Sequence, residues 1–115
     1  MNLGAITKAL SVPCALIRYN RRHRTTIREP ELIILYILGQ YDSLNKKSVI
    51  IKLSKLNHTC DYSQLNKRIK NLTDHRFVDK RQGAKNKFSI TPEGRDFLFR
   101  IEEWSRTYRI DKIKF

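Results

Sequence analysis

Cysteine, glycine, proline and acidic residues are all scarce in this sequence. Its 115 residues include two cysteines, four glycines, three prolines and 11 acidic side chains. No N-terminal stretch combines a basic segment, an apolar segment and a small-residue cleavage site, which favours a cytoplasmic protein with reduced thiols. The longest apolar run, LIILYIL at 32–38, is far shorter than the roughly 20 residues of a membrane span. The length favours one domain with a single core. The short apolar runs favour no transmembrane segment, and we predict no membrane partner.

Motifs typical of enzymes and metal sites are missing as well. The sequence has no phosphate-binding loop, nucleophile elbow or HExxH motif, and Glu102 and Glu103 are adjacent, so they point in different directions on a helix. His58 and Cys60 lie close together without the paired short spacings of a structural zinc site. Cys60 is either an ordinary half-buried residue or a thiol activated by a helix N-terminus. We predict no enzyme activity, no cofactor and no metal.

Basic residues are abundant and unevenly distributed. There are 24 lysines and arginines, and the net charge is +13. The excess lies in residues 17–28, 46–56 and 61–87, whereas residues 29–45 are acidic. Such a bias favours an anionic partner, with nucleic acid ahead of an anionic membrane.

Apolar periodicity predicts three successive helices in the middle of the chain. The first begins at Glu29 and Pro30, is buried on most sides and ends at Gly39. The second extends from Lys46 or Lys47 to Leu56. The third is capped by Thr59 or Asp61 and has a narrow apolar stripe, formed by Leu65, Ile69 and Leu72.

A change to a period of two after the third helix predicts a hairpin. The strands are residues 77–81 and 87–90, joined by a polar turn that contains Gly83. Thr91 then caps a last helix with Pro92 at its first position. Residues 1–28 stay open: GAITKAL fits a short helix interrupted by Pro13, and the following segment fits a strand or a helix.

Two stretches carry a family resemblance. SQLNKRIKNLTDHRFVDKR (63–81) and FSITPEGRDFL (88–98) resemble the recognition helix, first wing strand and post-wing junction of winged helix-turn-helix domains in MarR-like and PadR-like regulators. Arg76 stands where a glycine is common. The resemblance covers Glu29 to about Trp104. It implies a mainly α fold with a small β-hairpin (α+β), a three-helix core, a two-stranded wing and a C-terminal helix.

The predicted organisation has three parts. Residues 1–28 form a basic N-terminal arm, 29–92 the winged helix-turn-helix domain, and 93–115 a C-terminal helix. The last helix continues an apolar stripe from Phe97 along one face. Its outer part suits pairing with a second copy of the chain, through Ile101, Trp104 and Tyr108.

The resemblance implies double-stranded DNA as the partner, with the third helix (about 61–75) in the major groove and the wing (79–88) on the backbone or in the minor groove. If the apolar stripe faces inward, six residues face outward whose side chains suit base edges or phosphate: Tyr62, Ser63, Gln64, Asn66, Lys67 and Lys70. We predict phosphate contacts from the wing and the N-terminal arm: Lys80, Arg81, Lys85, Asn86 and Lys87, with Arg18, Arg21, Arg22 and Arg24.

Other interpretations stay open. A lysine-rich helix face is often no more than a solvated surface. The fold would also suit a protein-interaction or assembly module, or a sequence-neutral nucleic-acid binder of a mobile element. The leading hypothesis is a dimeric transcriptional regulator, and the chain leaves no room for a region that senses a small-molecule ligand.

Overall fold

A computed structural model describes residues 11–80 and 87–113, and the side chains of 14–80 and 87–106. Within these residues five helices accompany a small sheet, in the predicted winged helix-turn-helix order with an additional helix in front. The elements are α1 (Ser11–His23), α2 (Glu29–Gly39), β1 (Leu44–Asn45), α3 (Lys46–Lys55), α4 (Tyr62–Asp74), β2 (Val78–Lys80), β3 (Lys87–Ile90) and α5 (Pro92–Ile113).

Helix α2 is buried on all sides. Every residue from Glu31 to Leu38 is buried, and the helix contacts α3, α4, α5 and β3. The Tyr36 hydroxyl has no hydrogen-bond partner within the described residues. Burial raises the pKa of this phenol above its ordinary value, and the nearby Glu102 carboxylate acts in the same direction.

The starts of α4 and α5 are fixed by side-chain caps. Asp61 is the cap of α4: its carboxylate accepts from the Gln64 N–H at 2.7 Å, and Gln64 Oε1 accepts from the Asp61 N–H at 3.3 Å. Thr91 caps α5 as predicted, because its Oγ1 accepts from the Gly94 N–H at 3.0 Å. Of the two predicted caps for α4, Asp61 is correct.

The sheet has three antiparallel strands in the order β1-β3-β2. The predicted hairpin is present, with Val78 opposite Ile90. The third strand was not expected: Leu44 pairs with Phe88 and Asn45 with Lys87. No element is predicted between Gly39 and Lys46, because a two-residue strand has no period of its own and depends on its distant partner.

Helix α1 packs against α5 and forms part of the core. Ala15, Leu16 and Tyr19 are buried. The Tyr19 ring meets the Phe97 ring edge-on at a centroid distance of 4.6 Å. Half of the segment assigned to an N-terminal arm is therefore an integral helix. Pro13 lies in the first turn of α1, where a missing N–H costs no hydrogen bond. The segment GAITKAL, for which a short helix ending before Pro13 is predicted as one alternative, lies outside the described residues.

The exit of α4 uses a left-handed residue. Arg76 has φ 63° and takes the position where a glycine is common. Its N–H donates to Thr73 O, and the Phe77 N–H donates to Leu72 O, both at 2.9 Å. These two bonds form a Schellman motif, which ends the helix and turns the chain into β2.

The TPEG junction packs directly against this exit. Thr91 Oγ1 donates to Arg76 O at 2.6 Å, and the Thr91 N–H donates to Phe77 O at 3.0 Å. A Cβ added at Gly94 would collide with Phe77 O and lie 2.7 Å from Ile90 Cγ1. The glycine is required because the first turn of α5 touches the backbone after α4, which seats the hairpin between the two helices.

Candidate nucleic-acid interface

Helix α4 has one buried stripe and a wide exposed face. Leu65, Ile69 and Leu72 are at most 4% exposed, as predicted from their spacing. The six residues predicted to face outward are all exposed: Tyr62, Ser63, Gln64, Asn66, Lys67 and Lys70. The division of this helix into an inner and an outer side is confirmed.

One of the six residues has a structural role. Gln64 uses its side-chain oxygen in the capping box with Asp61, so only its amide N–H groups stay available to another molecule. No hydrogen bond or ion pair within the described residues holds the other five. Their side chains therefore keep their full donor and acceptor capacity for a partner.

Basic side chains on α1, α3 and α4 are not neutralised. The described ion pairs join Arg28 to Glu31, Arg100 to Asp96, and Arg106 to Glu102. The exposed cations outside these pairs therefore contribute to a positive potential; they include Arg21, Arg22, Arg24, Lys47, Lys55, Lys67 and Lys70. Arg18 differs, because its guanidinium lies 4.7 Å from the centre of the Trp104 ring.

The base of the wing carries two of its predicted basic residues. Lys80 ends β2, Lys87 begins β3, and both are exposed. Arg81, Lys85 and Asn86 lie outside the described residues. The described ends of the hairpin therefore offer cations near the point where the two strands leave the sheet.

A polar cluster that sequence reasoning missed joins α4 to the segment between α1 and α2. Asn71 Nδ2 donates to Glu31 Oε2 at 2.7 Å and to Thr26 O at 3.2 Å. The Thr26 N–H donates to His75 Nε2 at 3.3 Å. Asn20 shapes the segment itself, because its side chain bonds both backbone groups of Ile27. The partners are 40 or more residues apart in most of these contacts, so periodicity carries no signal of them.

A groove of about 470 Å³ lies beside this cluster. It separates the 25–28 segment from the second half of α4, and the buried Glu31 forms part of its wall. Three cations and several neutral polar groups also line it: Arg28, Lys67 and Arg68, with Asn20, Thr25, Thr26 and Asn71.

Cys60 lies just before the cap of α4 and is half-buried. Its thiol donates to Asp61 O at 3.4 Å, and Arg68 Nη1 donates to its sulfur at 3.3 Å. His58 and Cys60 do not gather a third ligand: within the part of the chain described, no three His, Cys, Asp or Glu residues form a group suited to a metal ion.

The residues assigned to dimerisation have different environments. Ile101 is 0% exposed in the core of its own chain, so its assignment to a dimer surface is wrong. Trp104 is partly buried beneath α1, where its ring lies 5.9 Å from the Tyr19 ring. The side chain of Tyr108 lies outside the described residues. The apolar stripe of α5 therefore serves first to bind α1, an element whose helical structure the sequence had left open.

Comparison with known proteins identifies solved structures with a similar fold. No protein-family model and no curated protein sequence matches the chain. Two solved structures are similar: H. salinarum RosR grown from NaBr, and a complex structure of hsRosR-S1. Each is 19% identical and covers 76% of this chain with a TM-score of 0.62. The match spans 89% of the RosR chain and 88% of the hsRosR-S1 chain.

This likeness shows that the chain has the winged-helix fold of the RosR structures. In the described part of the chain, no helix has the length and apolarity that a bilayer crossing demands.

Proposed function

We propose that this protein is a sequence-specific double-stranded DNA-binding protein that acts as a cytoplasmic transcriptional regulator. The observation that carries the proposal is the exposed outer face of α4, whose polar and basic side chains have almost no role in the fold. In winged-helix proteins the corresponding helix enters the major groove. The fold shared with the RosR structures supports the same assignment.

The side chains on this face suit base recognition. Asn66 and the free amide N–H groups of Gln64 match the donor and acceptor pattern of adenine, and Lys67 and Lys70 match the acceptors of guanine. Tyr62, which is 52% exposed, packs on a thymine methyl group or donates to phosphate. α4 therefore reads sequence, while backbone contacts around it fix its register.

Backbone contacts come from the wing and from the end of α1. Lys80 and Lys87 bind phosphate at the base of the wing, and Arg21, Arg22 and Arg24 extend the same role to the N-terminal side. If about six phosphates are contacted, affinity falls by roughly three decades between 50 and 200 mM salt.

The protein acts as a homodimer without cofactor. Two α4 helices then read half-sites one helical turn, about 34 Å, apart. The outer part of α5, which includes Tyr108, forms the contact between subunits in this proposal. The resulting binding site is a palindrome.

Selection of bound duplexes from a random pool, at two salt concentrations, tests the proposal. An enriched palindrome is the expected result, whereas enrichment of no sequence despite tight binding identifies a sequence-neutral nucleic-acid binder. Failure to bind any duplex at low salt leaves the interaction module as the function and contradicts the proposal.

A further inference from the structure

Among the described residues, Asn71 is the side chain whose hydrogen bonds join α4 to both α2 and the segment before it. Its Nδ2 group donates to Glu31 Oε2 at 2.7 Å and to Thr26 O at 3.2 Å. The backbone carbonyl oxygen of Asn71 also helps to hold this segment through His75, whose Nδ1 lies 2.7 Å from it. Because His75 Nε2 accepts from the Thr26 N–H, Nδ1 carries the proton and donates to Asn71 O.

The buried Glu31 carboxylate depends on the hydrogen bond from Asn71. The residue is 1% exposed, so its carboxylate has lost nearly all water and needs protein donors. The Arg28 N–H lies 3.3 Å from Oε2, and Arg28 Nε lies 3.5 Å from Oε1. Asn71 provides the shortest of the described bonds, at 2.7 Å, and the only one from α4. A rotation of α4 that breaks it leaves a buried charge without its best donor.

Apolar packing alone does not fix the rotation of α4. Leu65, Ile69 and Leu72 hold the helix against the core, but hydrophobic contact is non-directional and tolerates small rotations and shifts. A charge-assisted hydrogen bond is short and directional. Lys67 lies one turn before Asn71 on the same side of the helix, so the rotation set at Asn71 also fixes the direction of Lys67.

We propose that Asn71 is a positioning residue for base recognition and that it acts through Glu31. The proposal rests on the proposed function, because it concerns the orientation of the helix that reads DNA. Asn71 need not touch DNA: its role is to hold α4 at one rotation, so that the donors and acceptors of the outer face meet base edges with the accuracy that discrimination requires.

Exchange of the two functional groups tests this idea. Asn71→Asp places a second carboxylate against Glu31 and removes the donor, with almost no change in shape. Glu31→Gln/Asn71→Asp restores an amide opposite a carboxylate and returns the net charge to that of the wild type, although the bond to Thr26 O stays lost. Asn57→Asp, in the exposed turn after α3, introduces the same single charge elsewhere and is the matched control.

The first measurement compares binding to a duplex enriched from the random pool with binding to its scrambled version. Asn71→Asp should reduce the ratio of the two affinities by roughly tenfold or more, the size of one lost base contact, with an unchanged salt dependence. The double variant should recover at least half of the loss on a logarithmic scale, and Asn57→Asp should keep the wild-type ratio. A wild-type ratio in Asn71→Asp, or no recovery in the double variant, would overturn the proposal.

A pH series tests the contact between the two carboxylates of Asn71→Asp. Two carboxylates in contact share a proton as the pH falls, since like charges raise the pKa of one of them. The deficit of Asn71→Asp relative to the wild type should therefore shrink between pH 7.5 and about pH 5.5. The surrounding charged or titratable groups, Arg28, Lys67, Arg68 and His75, are the same in both proteins. A deficit that stays constant over this range contradicts the assigned contact.

Amide hydrogen exchange provides a second test of the role of Asn71 that does not depend on DNA. Asn71→Asp should accelerate exchange in the second half of α4, and the double variant should slow it again. If the wild type shows no sequence preference, the proposed function is wrong. The exchange measurement then still tests whether Asn71 holds α4 in place. Wild-type exchange rates in α4 of Asn71→Asp would overturn that role.

Discussion

Helices α2 and α4 are of similar length, 11 and 13 residues, and use their side chains in opposite ways. In α2 the whole run from Glu31 to Leu38 is buried, so nearly every residue serves the fold. In α4 three residues are buried, and the outer face is left almost entirely to solvent. A helix whose outer residues are not needed for stability can vary them to suit a partner.

The largest loss of stability is expected at Gly94, where the first turn of α5 touches the backbone after α4. Gly94→Ala inserts a Cβ against the Phe77 carbonyl and the Ile90 side chain, and overpacking of this kind costs about 2–3 kcal/mol. Urea denaturation measures the loss. Gly39→Ala is the matched control, since its Cβ would meet Leu98 Cδ1 at an ordinary 3.6 Å. Equal stability of the two variants would show that the junction is not tightly packed.

Charge reversal on α4 should separate binding from stability. Lys67→Glu/Lys70→Glu should lower discrimination between selected and scrambled duplexes by about 10- to 100-fold, since each residue is a proposed base contact. The free energy of unfolding should change by less than about 0.5 kcal/mol, because both side chains are exposed and without a described partner. Fluorescence anisotropy and urea denaturation measure the two quantities.

The matched control for this variant is Lys47→Glu/Lys55→Glu on α3, which changes the net charge equally at two exposed lysines. It should weaken binding to both duplexes by a similar factor and leave discrimination intact. Loss of discrimination in the α3 variant, with none in the α4 variant, would reverse the comparison between the helices.

A smaller effect, a gain in stability, is expected at Arg76, where the chain leaves α4. Arg76→Gly should stabilise the protein by about 0.5–1 kcal/mol, because a left-handed conformation is strained for arginine and not for glycine. Thermal and urea unfolding measure the gain. Asn57→Gly, at φ 62°, should gain less, since asparagine tolerates this conformation better. A destabilised Arg76→Gly variant would mean that the arginine side chain itself supports the exit.

The smallest change in stability is expected from a substitution on α2. Tyr36→Phe removes a buried hydroxyl that lacks a partner in the described structure and should stabilise the protein by up to about 1 kcal/mol. Tyr19→Phe is a useful comparison, because it makes the same change on α1. A loss of stability in Tyr36→Phe would show that its hydroxyl is bonded in solution.

Local signals in the sequence predicted the elements that depend on local physics. Pro30 and Pro92 marked helix starts, and the spacing of Leu65, Ile69 and Leu72 identified the inner side of α4. The same spacing predicted which candidate residues are exposed. The capping box of Asp61 and Gln64 was also readable from its three-residue spacing, although Gln64 was assigned to DNA instead.

What the sequence could not predict depends on distant partners. β1 exists because Leu44 meets Phe88, and α1 is folded into the core because Tyr19 meets Phe97. The bond between Glu31 and Asn71 joins residues 40 positions apart, and neither residue stands out in its own helix. Ile101 was misassigned for the same reason, since the helix that covers α5 was not recognised.

The central claim is that the outer face of α4, and not another surface, meets DNA. Titration of the labelled protein with the selected duplex, followed through backbone amide shifts, tests it directly. We expect the largest changes at Tyr62, Ser63, Asn66, Lys67 and Lys70 and at the ends of the wing strands, with little change in α2. Changes concentrated on α3 or α5, with α4 unaffected, would contradict the account.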